Sequence, residues 1–293
     1  MELSAAEIRR AVRAALAEDL GSGDVTTLAT VPAAAKSLAR MHAREPLVVA
    51  GLRFAETAFA ETNASYARRG GVPATLKFKA FVRDGQHVRA GEAICEIAGS
   101  SRAILTAERV ALNFLQRLCG VATCAAHFSA AVKGTEARIL DTRKTTPGWR
   151  RFEKYAVACG GAKNHRLGLY DLVFIKDNHL VALRGEKPNA IAAAVARARK
   201  LHPKLKVEVE ADSLEQVGQA ADAGADIILL DNMTLAQLRR AVKLVAGRSQ
   251  TEASGGVNLR TVRAIAETGV DFISVGALTH SARAVDIGLD FES

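Results

Sequence analysis

Aromatic residues make up only 5% of this 293-residue chain. It also lacks an arginine-rich tail, zinc-finger spacing and any stripe of interleaved basic and aromatic residues. Proteins that read nucleic acid lean on such features, so a nucleic-acid partner is disfavoured even though the formal net charge is +9. The four cysteines, Cys95, Cys119, Cys124 and Cys159, have no close paired spacing, which suits free thiols in a reducing compartment. No apolar run reaches the ~20 residues of a membrane-spanning helix. The opening stretch MELSAAEIRR carries acids and no apolar core of the signal-peptide kind, so the expectation is a cytoplasmic protein with no membrane partner. A Rossmann fold would need a glycine fingerprint after its first strand, and none is there.

What is present is a rhythm. After residue 137, apolar strand-like runs recur at 137–140, 172–175, 206–209, 226–230, 250–253 and 271–275. Helical patterns lie between the later ones, at 189–200, 212–223, 233–246 and 258–268. This alternation predicts βα units around a parallel sheet, closed as a barrel or open and doubly wound. Ahead of it, the spacing of Ile8, Val12, Ala15 and Leu16 predicts a helix over Ala5 to Leu20. A turn follows through Glu18 to Thr27, where the acids serve as caps or turn residues. Strands are expected near Lys36–His42, Leu47–Val49, Thr75–Phe81 and Ala93–Ile97, a helix over Arg53–Glu61, and hairpin material in Val82–Glu92. The alanine- and leucine-rich tract 101–133 reads as two helices bending at Gly120.

Every late strand feeds a polar or glycine-rich end, as at the active rim of a barrel. Asp141-Thr142-Arg143-Lys144 follow the first, and a helix with Trp149, Phe152, Tyr155 and Ala156 on one face then stops at Gly160-Gly161. Lys163, His165 and Arg166 precede the next strand, and Lys176 ends it. A single lysine or arginine is ordinarily a solvated surface charge, but cations gathered at strand ends call for an anion. His165 is either a buried, hydrogen-bonded imidazole or a carboxylate or phosphate contact. Glu210 and Asp231 end neighbouring strands. They form rim salt bridges or a Mg²⁺-linked phosphoester or ribose site, since oxygen ligands suit Mg²⁺ better than Zn²⁺. Ser254-Gly255-Gly256 and Gly276-Ala277 can offer backbone N–H groups to a phosphate. Arg109, within the helical tract, reads equally well as a surface arginine or as a functional group. Leu183–Pro188 stays unassigned.

Taken together, DTRKTTPG at 141–148, KYAV at 154–157, Gly160-Gly161, HRLGL at 165–169 and IKDNH at 175–179 resemble the signature of the quinolinate phosphoribosyltransferase family. The resemblance extends through EDLG at 18–21, ERVALN at 108–113, VEVE at 207–210, LLDN at 229–232 and EASGG at 252–256. It implies an α/β protein with an N-terminal open-faced α/β sandwich over residues 1–118, an atypical, incomplete α/β barrel over 119–280, and a tail, 281–293, returning toward the first domain. It also implies phosphoribosyl transfer from 5-phosphoribosyl 1-diphosphate to quinolinate, yielding nicotinate mononucleotide, diphosphate and CO₂, the step that feeds NAD synthesis. By the same resemblance, Arg109, Arg143, His165, Arg166 and Lys176 meet the quinolinate carboxylates. Lys144, Lys176, Glu210 and Asp231 hold the donor and serve catalysis, with Mg²⁺ held by Glu210 and Asp231 directly or through water. The family further implies a homodimer in which Arg109 is supplied in trans, with hexamers as a higher state. Related branches share much of the pattern, one associated with molybdenum transport and one acting on nicotinate. A basic nucleic-acid-binding protein is the alternative from another class.

Overall fold

Ser4 and Glu7 cap one another, the Ser4 hydroxyl accepting the Glu7 N–H and the Glu7 carboxylate accepting the Ser4 N–H, and a helix starts there. The computed structural model describes residues 1–68 and 76–292. Along the chain lie helices α1 (Ala5–Leu20) and α2 (Val25–Thr30), strands β1 (Lys36–Ala43) and β2 (Leu47–Val48), helix α3 (Leu52–Arg68), and strands β3 (Lys77–Ala80), β4 (His87–Val88) and β5 (Ala93–Ser100). Then come α4 (Ser101–Ala131), β6 (Arg138–Leu140), α5 (Arg150–Cys159), β7 (Val173–Ile175), α6 (Asp177–Val181), α7 (Ala190–Leu201), β8 (Val207–Ala211) and α8 (Leu214–Asp222). The last elements are β9 (Ile227–Asp231), α9 (Leu235–Val245), β10 (Gln250–Ser254), α10 (Val262–Ala266), β11 (Phe272–Ser274), α11 (Ala277–His280) and β12 (Ile287–Phe291).

Two compact units arise from these elements. The first is built from Met1–Cys124, Arg151–Gly161 and Ala282–Ser293. Its sheet is antiparallel, in the order β12-β1-β5-β3, so the chain's last strand closes one edge. Ile8, Val12 and Leu16 of α1 are buried, as their spacing requires. Asp24 accepts the Thr27 N–H at 2.9 Å and caps α2, which is the role its position in the turn suggests. Phe54 stacks on Phe114 with ring centroids 4.9 Å apart and meets Phe152 edge-on at 5.0 Å, joining α3, α4 and α5 in one core. In α5, Glu153 and Lys154 are fully buried, and Glu153 receives Arg117 Nη2 at 2.7 Å.

Three expectations need correction or a limit. Tract 101–131 is one helix, not two, because Gly120 serves close packing instead of a bend. A Cβ there would lie 1.9 Å from the Arg283 carbonyl oxygen. A glycine in a helix interior costs about 1 kcal/mol relative to alanine, and this approach of backbone to helix is what only glycine allows. Segment 82–92 does turn twice, at Gly85 and Gly91, but it makes no hairpin of its own. His87–Val88 pairs antiparallel with Leu47–Val48. The strand expected over 75–81 is Lys77–Ala80, and Thr75 lies outside the described residues.

The second unit comprises Ala125–Arg150 and Ala162–Ser281. Its six-stranded parallel sheet runs β6-β11-β10-β9-β8-β7 and, among the described residues, does not close between β7 and β6. It is an incomplete α/β barrel. Asn189, Ser213 and Thr234 cap α7, α8 and α9 through their side chains. Val207, Val209, Ile228, Leu230, Ile273 and the inner faces of these helices form the core. Among the described residues no helix is long and apolar enough to cross a membrane.

Candidate active site

Side chains two apart on a strand share a face, and in the second unit this rule puts chemistry at one rim. Phe174 leads to Lys176, Glu208 to Glu210, Leu229 to Asp231 and Glu252 to Ser254. Parallel register aligns the pairs, Phe174 opposite Glu208 and Leu229 opposite both Glu210 and Glu252. A cavity of about 450 Å³ opens over them, lined also by Thr142, Arg143, Lys144, His165, Arg166 and Ser274. Every lining residue belongs to the second unit.

The cationic wall is anchored by an anion. Asp141, fully buried at the end of β6, accepts the His165 N–H at 2.7 Å and Asn164 Nδ2 at 2.9 Å, while Leu140 and Lys163 form a parallel bridge. The segments 141–144 and 163–166 are thereby tied side by side. Lys144 is fixed by its backbone, its N–H donating to Thr142 Oγ1 at 3.0 Å and its carbonyl accepting the Thr279 hydroxyl at 2.7 Å. A Cβ at Gly276 would stand 3.1 Å from Lys144 Cδ, so the glycine leaves that side chain its room. Arg166 and Lys176 each place their charge 5.1 Å from the centre of the Phe174 ring. Burial, and then the neighbouring Arg143 charge, hold the Arg166 guanidinium below the ordinary arginine range. Arg143 Nε is buried with no hydrogen-bond partner among the described residues.

Beneath these cations lies an acidic floor that sequence reasoning missed. His165 Nδ1 accepts the Arg166 N–H at 2.7 Å, so in the neutral ring the proton sits on Nε2. That nitrogen is 2.9 Å from Glu208 Oε2 and 3.7 Å from Glu252 Oε2, and both glutamates are fully buried. Burial, reinforced by the Glu208 charge, pushes the Glu252 carboxyl up to about 8. The three ligand atoms lie within 4.8 Å of one another, a cluster able to coordinate a divalent cation. The missed signal was the two-residue alternation in VEVE, which puts Glu208 on the same face as Glu210.

At the rim, Lys176 Nζ is 3.5 Å from Glu210 Oε2. The Glu210 carboxyl is nevertheless raised, by burial first, with Lys176 opposing and the Asp231 and Asp177 charges adding. Ser254 lines the cavity, and Gly255 and Gly256 continue from it, exposed. Gly255 has φ 99°, and a Cβ there would fall 2.1 Å from Asn232 Oδ1. Gly276 and Ala277 begin α11 just past β11. Arg109 is the one expected contact placed elsewhere, exposed on α4 in the first unit.

Comparison with known proteins agrees along the whole chain. Family models described as quinolinate phosphoribosyl transferase, N-terminal and C-terminal domains, match residues 24–119 and 121–290. A nicotinate-nucleotide pyrophosphorylase [carboxylating] of Mycobacterium leprae is 42% identical over 286 residues, covering 96% of each chain. A mitochondrial quinolinate phosphoribosyltransferase [decarboxylating] 2b of Nicotiana tabacum is 40% identical over 303 residues, 98% of this chain and 83% of that one. The solved nicotinate-nucleotide pyrophosphorylase of Francisella tularensis superposes with a TM-score of 0.90 at 37% identity, over 99% of this chain and 98% of that one.

Proposed function

Because this chain belongs to the quinolinate phosphoribosyltransferase family, we propose that its rim cavity transfers phosphoribosyl from 5-phosphoribosyl 1-diphosphate to quinolinate with decarboxylation. The products are nicotinate mononucleotide, diphosphate and CO₂. The observation that carries this reading is the buried, unpartnered Arg143 Nε beside Arg166, two guanidinium groups crowded together where a planar dianion would satisfy both. Planar carboxylates are met bidentately by arginine better than by a lysine point charge. Phe174 and His165 complete that side of the cavity, while Lys144 and Lys176 sit where a second, phosphate-bearing anion needs charge.

In this reading the quinolinate nitrogen attacks the anomeric carbon of the donor as diphosphate leaves, through an oxocarbenium-like state. Glu210 and Asp231 face that carbon and offset its positive charge, while Lys144 and Lys176 offset charge on the leaving group. Ribosylation makes the ring nitrogen cationic, and it then stabilises the electron pair left at C2 when the adjacent carboxylate departs as CO₂. A proton at C2 completes the product. No nucleophilic side chain is required. Glu210 and Asp231 fit Mg²⁺, since they are oxygen donors on adjacent strand ends, with burial first and then the Asp231 charge raising the Glu210 carboxyl. Bound there, the ion would supply charge neutralisation for the diphosphate.

The protein acts as at least a homodimer, with Arg109 reaching the cavity of the partner. Exposure of Arg109 outside the unit that holds the cavity supports this assignment. The deciding experiment is release of labelled CO₂ from carboxyl-labelled quinolinate, dependent on the phosphoribosyl donor and Mg²⁺. Diphosphate release with nicotinate, and none with quinolinate, overturns the reading.

A further inference from the structure

Asn232 carries no role in the chemistry above, yet it touches three parts of the rim. Its Nδ2 donates to Asp231 Oδ2 at 2.8 Å, and its backbone N–H donates to the Ser254 carbonyl at 2.9 Å, linking the ends of β9 and β10. Its Oδ1 occupies the space a Cβ at Gly255 would need, 2.1 Å from that position. The backbone at Asn232 is left-handed, φ 52°, a conformation that asparagine and glycine adopt with least strain. One side chain therefore takes up one oxygen of Asp231 and also sets how near the Ser254–Gly256 loop can come.

We propose that Asn232 is a positioning residue for the phosphoribosyl donor. It holds Asp231, which lines the cavity, by one carboxylate oxygen, and it sets the spacing between that carboxylate and the glycine loop that receives phosphate. The inference rests on the donor assignment above. It goes beyond it by naming a residue that acts through Asp231 and Gly255 and touches no reacting atom. Loss of Asn232 is then a donor-side defect, since the quinolinate contacts at Arg143 and Arg166 belong to different loops.

The test uses the full-length protein and two variants. Asn232→Gly keeps the left-handed backbone and removes the side chain. Asn232→Asp keeps the shape but replaces the donor with a carboxylate facing Asp231. Calorimetry gives the Kd of quinolinate alone, and the Kd of 5-phosphoribosyl 1-diphosphate with benzene-1,2-dicarboxylate present, an acceptor mimic lacking the ring nitrogen and so unable to react. Loss of a hydrogen bond to a charged group predicts donor binding weakened by about tenfold in Asn232→Gly and by more in Asn232→Asp. Quinolinate Kd stays within about twofold, as distant and unshared contacts predict. Unchanged donor affinity in both variants overturns the proposal, and so does an equal loss of both ligands, which would mean a general collapse of the cavity. A parent protein that binds neither ligand overturns the functional reading and this inference with it.

Discussion

Replacing Glu252 with glutamine should make this protein more stable, and increasingly so as the pH rises. In the folded chain the Glu252 carboxyl is held at about 8, against an ordinary 4.5 when exposed. Below pH 4.5 the group is protonated in both states and contributes no pH dependence. Between 4.5 and 8 the unfolded chain releases its proton while the folded chain keeps it, so folding takes up a proton and stability falls as pH rises. The slope approaches about 1.4 kcal/mol per pH unit for one proton. Accumulated from 4.5 to neutrality, the cost is about 3 kcal/mol at pH 7. Glutamine has nearly the same shape and cannot ionise. The variant should therefore match its parent near pH 4.5 and exceed it by about 3 kcal/mol at pH 7, or roughly 5–10 °C in Tm for a chain of this size. Paired thermal melts at half-unit steps from pH 5 to 8 measure the gap directly, and subtraction removes titrations common to both proteins. A gap that is flat with pH, or that narrows as pH rises, would refute the idea that burial and the Glu208 charge hold this proton.

Arg143→Lys should keep the charge but lose the planar fork, lowering kcat/KM by about one to two decades, or 1–3 kcal/mol of transition-state stabilisation; quinolinate binding unchanged by calorimetry would reject the carboxylate clamp. Gly120→Ala should destabilise the first unit by about 1–3 kcal/mol despite alanine's better helix propensity, because its methyl meets backbone at Arg283. A denaturant midpoint equal to or above the parent's would contradict that. Mixing inactive Arg109→Ala and Lys144→Ala proteins under subunit exchange should restore activity toward one intact site per dimer, and no recovery despite verified heterodimers would place Arg109 outside the partner's cavity.

The parallel sheet was legible because each strand is a short apolar run ending in a polar or glycine-rich residue, and α1 because its apolar spacing is local. Arg143, Lys144, Lys176, Glu210, Asp231 and Ser254, at or just past strand ends, come together around one cavity with His165 and Arg166 from the segment before β7. What escaped was non-local. Gly120 reads as a bend until Arg283, far along the chain, is seen against it. The strand at His87–Val88 is too short to announce its partner at Leu47–Val48. Glu208 and Glu252 received no role of their own from the sequence, and only register across β8, β9 and β10 shows them converging on His165.

The first unit is assembled from three separate stretches of sequence, and its sheet is finished by a strand from the chain's end, residue 39 pairing with residue 291. During synthesis, β1 must wait with one edge unpaired until residues 287–291 have been made, whereas β7 to β11 of the second unit pair with neighbours in the order they emerge and only β6 waits for β11. Order of appearance is thus the reverse of order of completion: the amino-terminal unit starts first and is completed last. Until β12 is made, the nascent chain carries an open strand edge, the kind of edge that invites pairing with another chain. Removing β12 would make that temporary exposure permanent.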